Sequence, residues 1–271
     1  FGDGGTGYYP TYKGDTFLIS GAGCVYGGGA SDYDAVTNID LRSQSLTTNF
    51  NFLNNFIYLT NLQCFSNQLT NIDVTQNILL ELFVCSNNLF TAVDVTQNVL
   101  LVDFRAENNL FTAVNVTQNI LLVRLRLSTN SLTNIDISNN PLLTDIQLSN
   151  NLLNSIDVTQ NALVQTLYLN NNQLTNIDVT QNVVVTDLFL FDNSLTSIDI
   201  SNNILLNKLY LYFNQITNID VSNNPLLTDF RISSNQLNNI VNSQILIDLD
   251  NHGLPNGYFR SSIFGGGTLT T

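Results

Sequence analysis

The chain has 271 residues, of which 44% are hydrophobic and 11% charged, and its formal net charge at pH 7 is −13. This balance excludes a disordered acidic tail, and eight Lys and Arg residues argue against nucleic-acid binding, which needs cations to neutralise phosphates. The longest apolar runs, such as ILLELF at 78–83, are far shorter than the roughly 20 residues of a membrane-spanning helix.

The two ends of the chain are rich in glycine, and the middle contains none. All 15 Gly residues lie within 1–29 or 253–267, and Gly-rich ends are normally flexible. The chain has no Met and starts at Phe1 without an apolar leader, so we expect a cleaved leader or a fragment. We predict four segments: a Gly- and Tyr-rich head at 1–35, an N-terminal cap at 36–58, a repeat array at 59–247, and a C-terminal cap with a Gly-rich tail at 248–271.

The array repeats with a period of 21 residues. The heptad NIDVTQN at 71–77 recurs with few changes, and its Ile or Val stands at every twenty-first position from Ile72 to Ile240. A full unit reads L-x-x-L-x-L/C-x-x-N-x-L-x-x-I-D-V-x-x-N. The cap contains an imperfect copy of the heptad, AVTNIDL at 35–41, as expected for an end repeat that shields the core from water. Nine units start at Leu59, Leu80, Leu101, Leu122, Leu143, Val164, Val185, Leu206 and Leu227.

Each unit predicts one coil of a β-solenoid. The L-x-L part, for example Leu167-Tyr168-Leu169, alternates with period two, which indicates a short strand. The I-D-V part alternates too, with Asp outward. Two turns within 21 residues leave no room for a regular helix. We therefore predict a β-rich solenoid with little or no helix, in which equivalent strands pair about 4.8 Å apart in a parallel sheet, and in which no coil is stable without its neighbours.

The run L-x-x-L-x-L-x-x-N-x-L resembles the leucine-rich repeat, and the resemblance covers residues 59–247. The short period and the L-T-x-I-D-V-S/T-x-N half resemble bacterial leucine-rich repeats of surface proteins such as the internalins. The resemblance implies a right-handed solenoid with the L-x-L strands on its concave face. It also implies that this face recognises proteins or glycans, outside the cell or at its surface.

One Asn follows every L-x-L strand. A buried turn leaves backbone groups that need partners, and an amide both donates and accepts, so we predict that this column ties each turn to a neighbouring coil. The column comprises Asn67, Asn88, Asn109, Asn130, Asn151, Asn172, Asn193, Asn214 and Asn235.

The Asp of the heptad forms a second column, interrupted by Asn115. Two hypotheses compete for it. Each Asp accepts hydrogen bonds from its own turn, including the hydroxyl of a following Thr such as Thr75, or the column binds Ca²⁺, which takes six to eight oxygen ligands. No Gly-rich calcium loop accompanies these residues, which favours the first hypothesis. The column comprises Asp73, Asp94, Asp136, Asp157, Asp178, Asp199 and Asp220.

The outward positions of the strands are free of packing constraints, and they carry cations and aromatic residues. Such side chains are typical of protein or sugar contacts, but they also stabilise sheets as ordinary cross-strand pairs. Both hypotheses stand at this stage. The candidate ligand-binding residues are Arg105, Arg124, Arg126, Lys208 and Arg231, together with Tyr168, Phe189, Phe191, Tyr210 and Tyr212.

Cysteine and histidine give little sign of chemistry. Cys64 and Cys85 are 21 residues apart on one inward column, and we predict that they pack as small buried apolar side chains. With Cys24 the chain has three Cys residues in 271, and this low density argues against a disulfide framework. The one His is His252, in NHGLPNG, and no nucleophile, zinc or phosphate-binding motif occurs. We expect no enzymatic activity, no metal and no cofactor.

Two functions follow from these patterns. The first is recognition or adhesion, extracellular or on a cell surface, with a protein or carbohydrate bound by the concave face. The second is a structural subunit of a surface filament or virion, held to its own copies or to other subunits by the Gly-rich ends, with the solenoid as a spacer or display platform.

Overall fold

The structure is a computed structural model, and it divides into two compact units, 1–135 and 136–271. Most of the predicted head, the Gly-rich tail, Cys24 and His252 lie outside the described residues. The described residues are 6–10, 16–20, 36–47, 51–251 and 258–260.

The first unit is a ladder of short strands. Strands β1 and β2 pair antiparallel, β2 pairs antiparallel with β3, and β3 to β7 are parallel to one another. Leu62 stands opposite Phe83, so one 21-residue repeat separates neighbouring strands from β4 to β7. A short 3-10 helix at Asn51–Asn55 precedes β4. The strands are β1 Thr6–Pro10, β2 Thr16–Ser20, β3 Asn38–Asp40, β4 Asn61–Gln63, β5 Leu82–Val84, β6 Asp103–Arg105 and β7 Arg124–Arg126.

The second unit continues the pattern with parallel strands. Strands β8 to β12 pair in chain order with the same register, and β13 pairs parallel with β12. One α-helix, α1, lies between β12 and β13. The elements are β8 Asp145–Gln147, β9 Thr166–Tyr168, β10 Asp187–Phe189, β11 Lys208–Tyr210, β12 Asp229–Arg231, α1 Asn239–Asn251 and β13 Tyr258–Arg260.

The core consists of the inward columns of the repeat. In the coil that starts at Leu143, the side chains of Leu143, Ile146, Leu148, Leu153 and Val158 are fully buried, while the residues on either side of Ile146 are partly exposed. Alternation of this kind is what a strand with one buried face requires. The predicted β-rich parallel solenoid with little helix is therefore confirmed.

The last repeat differs from the prediction. The predicted array reaches 247 with Ile240 in the inward column, but helix α1 occupies this segment and Ile240 is 81% exposed. The ninth unit places Val241 where the other units have Asp or, at Asn115, an Asn, and Asn242 where they have an inward Val or Ile. The side chain of Asn238 instead accepts from the amides of Ile240 and Val241 at 2.9 and 3.0 Å, which is an N-cap that starts a helix.

The N-terminal cap also differs in register. AVTNIDL matches the heptad in sequence. Ile39 nevertheless stands opposite Leu62 of β4, so this segment forms a strand of the sheet, whereas the heptad of the other coils follows the strand. The described part of the head pairs with the same chain, since Ile19 of β2 stands opposite Ile39.

The two inward cysteines are buried free thiols. Burial raises the pKa of both the Cys64 and the Cys85 thiol far above the usual value. Because the thiolate is the reactive form, these residues act as small apolar side chains in the core.

Candidate functional site

The Asn that follows each strand binds backbone groups of two coils. The Asn88 Nδ2 donates to the carbonyls of Cys64 and Cys85 at 2.9 and 3.1 Å, and its Oδ1 accepts from the Leu69 amide at 3.0 Å. Asn151 donates to the Leu148 carbonyl of its own coil at 3.0 Å. Corresponding contacts to the preceding coil occur at Asn67, Asn109, Asn130, Asn172, Asn193, Asn214 and Asn235.

A second Asn column, at the last position of the repeated heptad, is buried in the turn before each strand. The Asn98 Nδ2 donates to the Val74 and Asn77 carbonyls of the preceding coil at 2.9 and 2.8 Å. The last residue of the repeated heptad was the signal that this position is fixed. The column comprises Asn77, Asn98, Asn119, Asn140, Asn161, Asn182, Asn203 and Asn224, all with no exposed surface.

The Asp column binds its own turns. The Asp94 Oδ1 accepts from the Thr96 hydroxyl at 2.7 Å and from the Thr96 amide at 2.9 Å. These hydrogen bonds, first the hydroxyl and then the amide, lower the pKa of Asp94, and the same causes act on Asp73, Asp136, Asp157, Asp178, Asp199 and Asp220.

Asn115 shows that this turn does not depend on a negative charge. Its amide oxygen accepts from the Thr117 hydroxyl and amide at 2.8 and 3.1 Å, as Asp94 does with Thr96. Within the part of the chain that the structure describes, no group of three or more His, Cys, Asp or Glu side chains could hold a metal ion. The contacts present therefore support the turn-binding role.

Aromatic side chains stack along the outward face of β9 to β11. The ring centroids of Tyr168 and Phe189 are 4.3 Å apart with planes 2° from parallel, and those of Phe189 and Tyr210 are 4.2 Å apart with planes at 3°. These residues occupy the third position of successive in-register strands, so the strand spacing of a parallel sheet sets their separation.

Arg231 of β12 ends this stack. Its guanidinium carbon lies 4.2 Å from the Tyr210 ring centroid, and its Nε and Nη2 donate to Asp229 at 2.9 and 2.8 Å. The Tyr210 hydroxyl donates at 2.6 Å to Oδ2 of Asp229, the same oxygen that accepts from Arg231 Nη2. Burial, and then this hydrogen bond, raise the pKa of Tyr210 to about 12. The hydroxyl therefore stays protonated and can donate this hydrogen bond.

A second aromatic row lies two residues further along. Phe191 and Tyr212 stack at 4.3 Å with planes at 10°, and Tyr212 meets Phe213 edge to face at 5.5 Å and 71°. We call Tyr168, Phe189, Phe191, Tyr210, Tyr212 and Phe213 the aromatic face. Phe213 was not among the predicted site residues.

Phe213 has an unfavourable backbone conformation. Its φ is 55°, in the left-handed region that side chains with a Cβ enter at a cost, and Asn, Asp and small polar residues tolerate better. Most equivalent positions in other coils hold Asn or Asp, for example Asn171 and Asp192 with φ 55°, although Ser66, Thr129 and Ser234 share this conformation. Phe213 is also 58% exposed, so burial within the chain does not offset the cost.

In both units, cations of the outward face contact carboxylates. In the first unit, Asp103 accepts from Arg105 at 2.9 and 2.7 Å and from Arg124 at 2.8 Å. Burial raises the pKa of Asp103, but the hydrogen bonds and charges of the two guanidiniums outweigh it, and the pKa lies below the usual value. In the second unit, Lys208 lies 2.9 Å from Asp187, and this contact raises the pKa of Lys208.

Arg126 stands beside Arg105 on β7. Both line a shallow depression of about 450 Å³ together with Phe65 and Glu107. The structure thus groups Arg105, Arg124 and Arg126 in the first unit. It groups the five predicted aromatic residues with Lys208 and Arg231 in the second.

The chain is a leucine-rich-repeat solenoid. Its parallel strands, one per 21-residue coil, and its inward Leu and Asn columns define that class. The predicted resemblance is confirmed by a solved structure, the functional domain of InlJ from Listeria monocytogenes, which is described as including a cysteine ladder. It is 32% identical, with a TM-score of 0.75, and the alignment covers 81% of this chain and 47% of that chain.

Other solved structures show the fold alone. The LRR protein LIC12759 of Leptospira interrogans aligns with 18% identity and a TM-score of 0.64 over 79% of this chain and 70% of its own. Toll of Drosophila, solved in complex with Spatzle, aligns with 19% identity and a TM-score of 0.58 over 79% of this chain and 36% of its own. No protein-family model matches the sequence, and no curated protein does. Among the described residues, no helix has the length and apolar character to cross a membrane.

Proposed function

We propose that the chain is a non-enzymatic recognition protein that acts outside the cell or at its surface and binds a protein partner through the aromatic face. The observation that carries this proposal is Phe213. A Phe in the left-handed region costs about 1–2 kcal/mol, and with 58% of the residue exposed, the edge contact with Tyr212 offsets that cost only in part. Strained, exposed residues of this kind cluster at binding sites.

The surroundings of Phe213 suit a binding surface. Tyr212 packs against Phe213, and Phe191 stacks on Tyr212, so an exposed ring continues an ordered aromatic layer. Stacking and the pair between Arg231 and Asp229 hold these side chains in place before a partner arrives. Pre-ordered side chains lose less entropy on binding, and Tyr and Arg are common among residues that dominate interface energies.

The stacking also favours a protein over a glycan. A sugar packs its flat face against the face of an aromatic ring. In the row from Tyr168 to Arg231, the ring faces of Phe189 and Tyr210 are covered by their neighbours, so ring edges are left at the surface. Ring edges carry the positive part of the aromatic quadrupole and suit contacts with other rings and with carbonyl oxygens, which proteins provide.

The fold supports a binding role as well. The solenoid of Toll, to which this chain is similar, forms a complex with the protein Spatzle. The charge of −13 disfavours nucleic acid and favours a partner with a basic surface. The paired outward cations, such as Arg105 and Arg124 with Asp103, fit cross-strand stabilisation better than ligand binding.

The test is to select ligands with a random-peptide display library on the immobilised chain, while the same labelled protein is applied to a glycan array. We expect enriched peptides that bind the wild type and lose binding to the triple variant Phe189→Ala, Tyr210→Ala, Tyr212→Ala. Leu152→Ala is the matched control, because Leu152 is an exposed apolar residue of the same unit away from the aromatic face.

Three results would contradict the proposal. Peptides that bind the triple variant as well as the wild type would place recognition elsewhere. Equal loss in Leu152→Ala would point to non-specific adhesion. Glycan binding that the triple variant abolishes would assign the aromatic face to carbohydrate.

A further inference from the structure

An exposed apolar stripe follows the turn before each strand. It consists of the two positions that precede the first core residue of each unit, for example Ile78 and Leu79 before Leu80. Twelve of its side chains are exposed by between 37% and 55%, six in each unit. In the first unit these are Ile57, Tyr58, Ile78, Val99, Ile120 and Leu121, and in the second they are Leu142, Leu163, Val183, Ile204, Leu205 and Leu226.

The stripe is also uncharged, although the chain carries −13. The relevant stretch runs from the inward Val or Ile that follows the heptad Asp to the first core residue of the next unit, for example VTQNILL at 74–80 and VTQNVLL at 95–101. No charged residue occurs in this stretch in any of eight units. The nearest column with several acidic residues, which includes Asp103 and Asp145, lies at the first position of the strands, three residues after the second stripe position, and is outside the stripe. Two molecules of like charge can therefore approach through this surface without burying a charge.

The backbone beneath the stripe is held in place. The Asn77 amide donates to the Val74 carbonyl at 3.0 Å, and the Leu80 amide donates to the Asn77 carbonyl at 3.0 Å, so Ile78 and Leu79 lie within a closed turn. Asn98 of the next coil bonds to the carbonyls of Val74 and Asn77. The apolar side chains are thus presented by ordered turns, which lowers the entropic cost of an interface.

We propose that this apolar stripe is a self-association surface, against which a second copy of the chain packs its own stripe. A partner must offer apolar contacts that recur once per coil, and a second copy has this period by construction. A two-fold axis would bring the same turns of both copies together.

The size of the surface fits a dimer. Six half-exposed side chains in each unit amount to on the order of 500 Å² per unit, comparable with the largest apolar patch of a typical monomer. One unit packed against the same unit of a second copy would bury on the order of 1,000 Å² in total, the size of a weak, reversible interface.

A lipid surface suits this stripe less well. Faces that lie on membranes carry Lys and Arg beside their apolar residues. The position before each column Asn instead holds Gln or Asn, as in Gln76, Gln97 and Asn139, and Asp73 and its equivalents lie nearby. Amide and carboxylate borders fit a protein interface whose rim is polar.

The test is sedimentation velocity of the full chain from about 1 to about 100 µM, at about 0.05 and about 0.5 M NaCl. We expect a reversible species of twice the 30.0 kDa chain mass. Its affinity should rise with salt, because salt screens the repulsion between two acidic chains and does not weaken apolar contacts.

Two paired variants test the surface itself. Val99→Thr with Ile120→Thr changes the first unit, and Val183→Thr with Ile204→Thr changes the second. Each pair alters four apolar side chains per dimer, and we expect at least a roughly tenfold weaker dimer in each case. The control is Leu89→Gln with Leu110→Gln, because these side chains are exposed by 45% and 50% outside the stripe. Circular-dichroism melts should show that all variants fold.

Several outcomes would overturn the proposal. They are a monomer at every concentration, a dimer that the stripe variants leave intact, equal weakening by the control, and open-ended aggregation without a defined mass. Flotation with neutral phosphatidylcholine vesicles, lost in the stripe variants while the protein in solution is monomeric, would assign the stripe to lipid.

Discussion

The turn before each strand and the aromatic face on the strands differ in what their side chains bind. In the turn, the Asn182 Nδ2 donates to the carbonyls of Val158 and Asn161, both at 2.9 Å. On the face, Tyr168 and Phe189 stack on each other. The turn residues bind backbone and the face residues bind other side chains.

This difference explains why one region repeats and the other varies. Backbone groups occupy the same places in every coil, so the residue that satisfies them must be the same each time. Side-chain partners can be exchanged as sets, as the Arg and Asp group of β6 and β7 and the aromatic stack of β9 to β11 show. Specific function therefore belongs where the repeat varies.

The largest effect should come from the buried turn. Asn182→Ala removes two hydrogen bonds to carbonyls and leaves a small cavity, so we expect a loss of about 2–3 kcal/mol in the free energy of unfolding. Urea denaturation measures it. The neighbouring Gln181→Ala is the control, since Gln181 is exposed and should change stability by less than about 0.5 kcal/mol. Similar losses in the two variants would contradict a backbone-binding role for Asn182.

Much of the fold could be predicted from the sequence, because a period of 21 residues places the middle residue of each strand, such as Ile146, inward in every coil. The second Asn column was visible as the last letter of NIDVTQN, but periodicity alone does not tell a buried turn amide from an exposed one. Helix α1 was missed for a different reason. Asn238 is a residue type that favours an N-cap, and Asn242 places a polar residue in the inward column. The 21-residue spacing nevertheless assigned Ile240 to that column, so the segment was predicted as a further coil.

The site was predictable in position and not in detail. Columns of outward residues follow from strand alternation, so Phe189 and Tyr210 were found. Sequence could not tell that Arg105 and Arg124 share Asp103, because that depends on side-chain rotamers. The strain at Phe213 was also out of reach, because a left-handed φ at a Phe contradicts local propensity and only the coil geometry imposes it.

A smaller effect is expected from the Asp column. Asp94→Ala removes the bonds from the Thr96 amide and hydroxyl. Water can replace them at this exposed site, so the loss should be about 0.5–1 kcal/mol. Asp94→Asn should retain stability at pH 7, because Asn115 makes the same bonds. Equal losses in both variants would contradict the turn-binding role.

The same column predicts sensitivity to acid. Hydrogen bonds lower the pKa of Asp94 and its equivalents in the folded chain, so the stability they provide is full above the unfolded pKa of about 3.9. It is lost as pH falls through the lower folded values. Thermal melts between neutral pH and pH 3 should show this decline, less so in Asp94→Asn.

EDTA should leave the melting curve at pH 7 unchanged, and a drop in the melting temperature would support the calcium hypothesis.

The smallest effect, and the one of opposite sign, should come from Phe213→Asn. Asn is better suited than Phe to the left-handed backbone at φ 55°, and the loss of the edge contact with Tyr212 partly offsets this gain, so we expect stabilisation by about 0.5 kcal/mol. The reciprocal change, Asn108→Phe at φ 53°, should destabilise by about 1 kcal/mol. Peptides selected on the aromatic face should nevertheless bind Phe213→Asn more weakly. A Phe213→Asn variant that is more stable and binds the peptides more weakly would assign Phe213 to recognition. A variant that is less stable and binds the peptides unchanged would show that Phe213 only stabilises the fold.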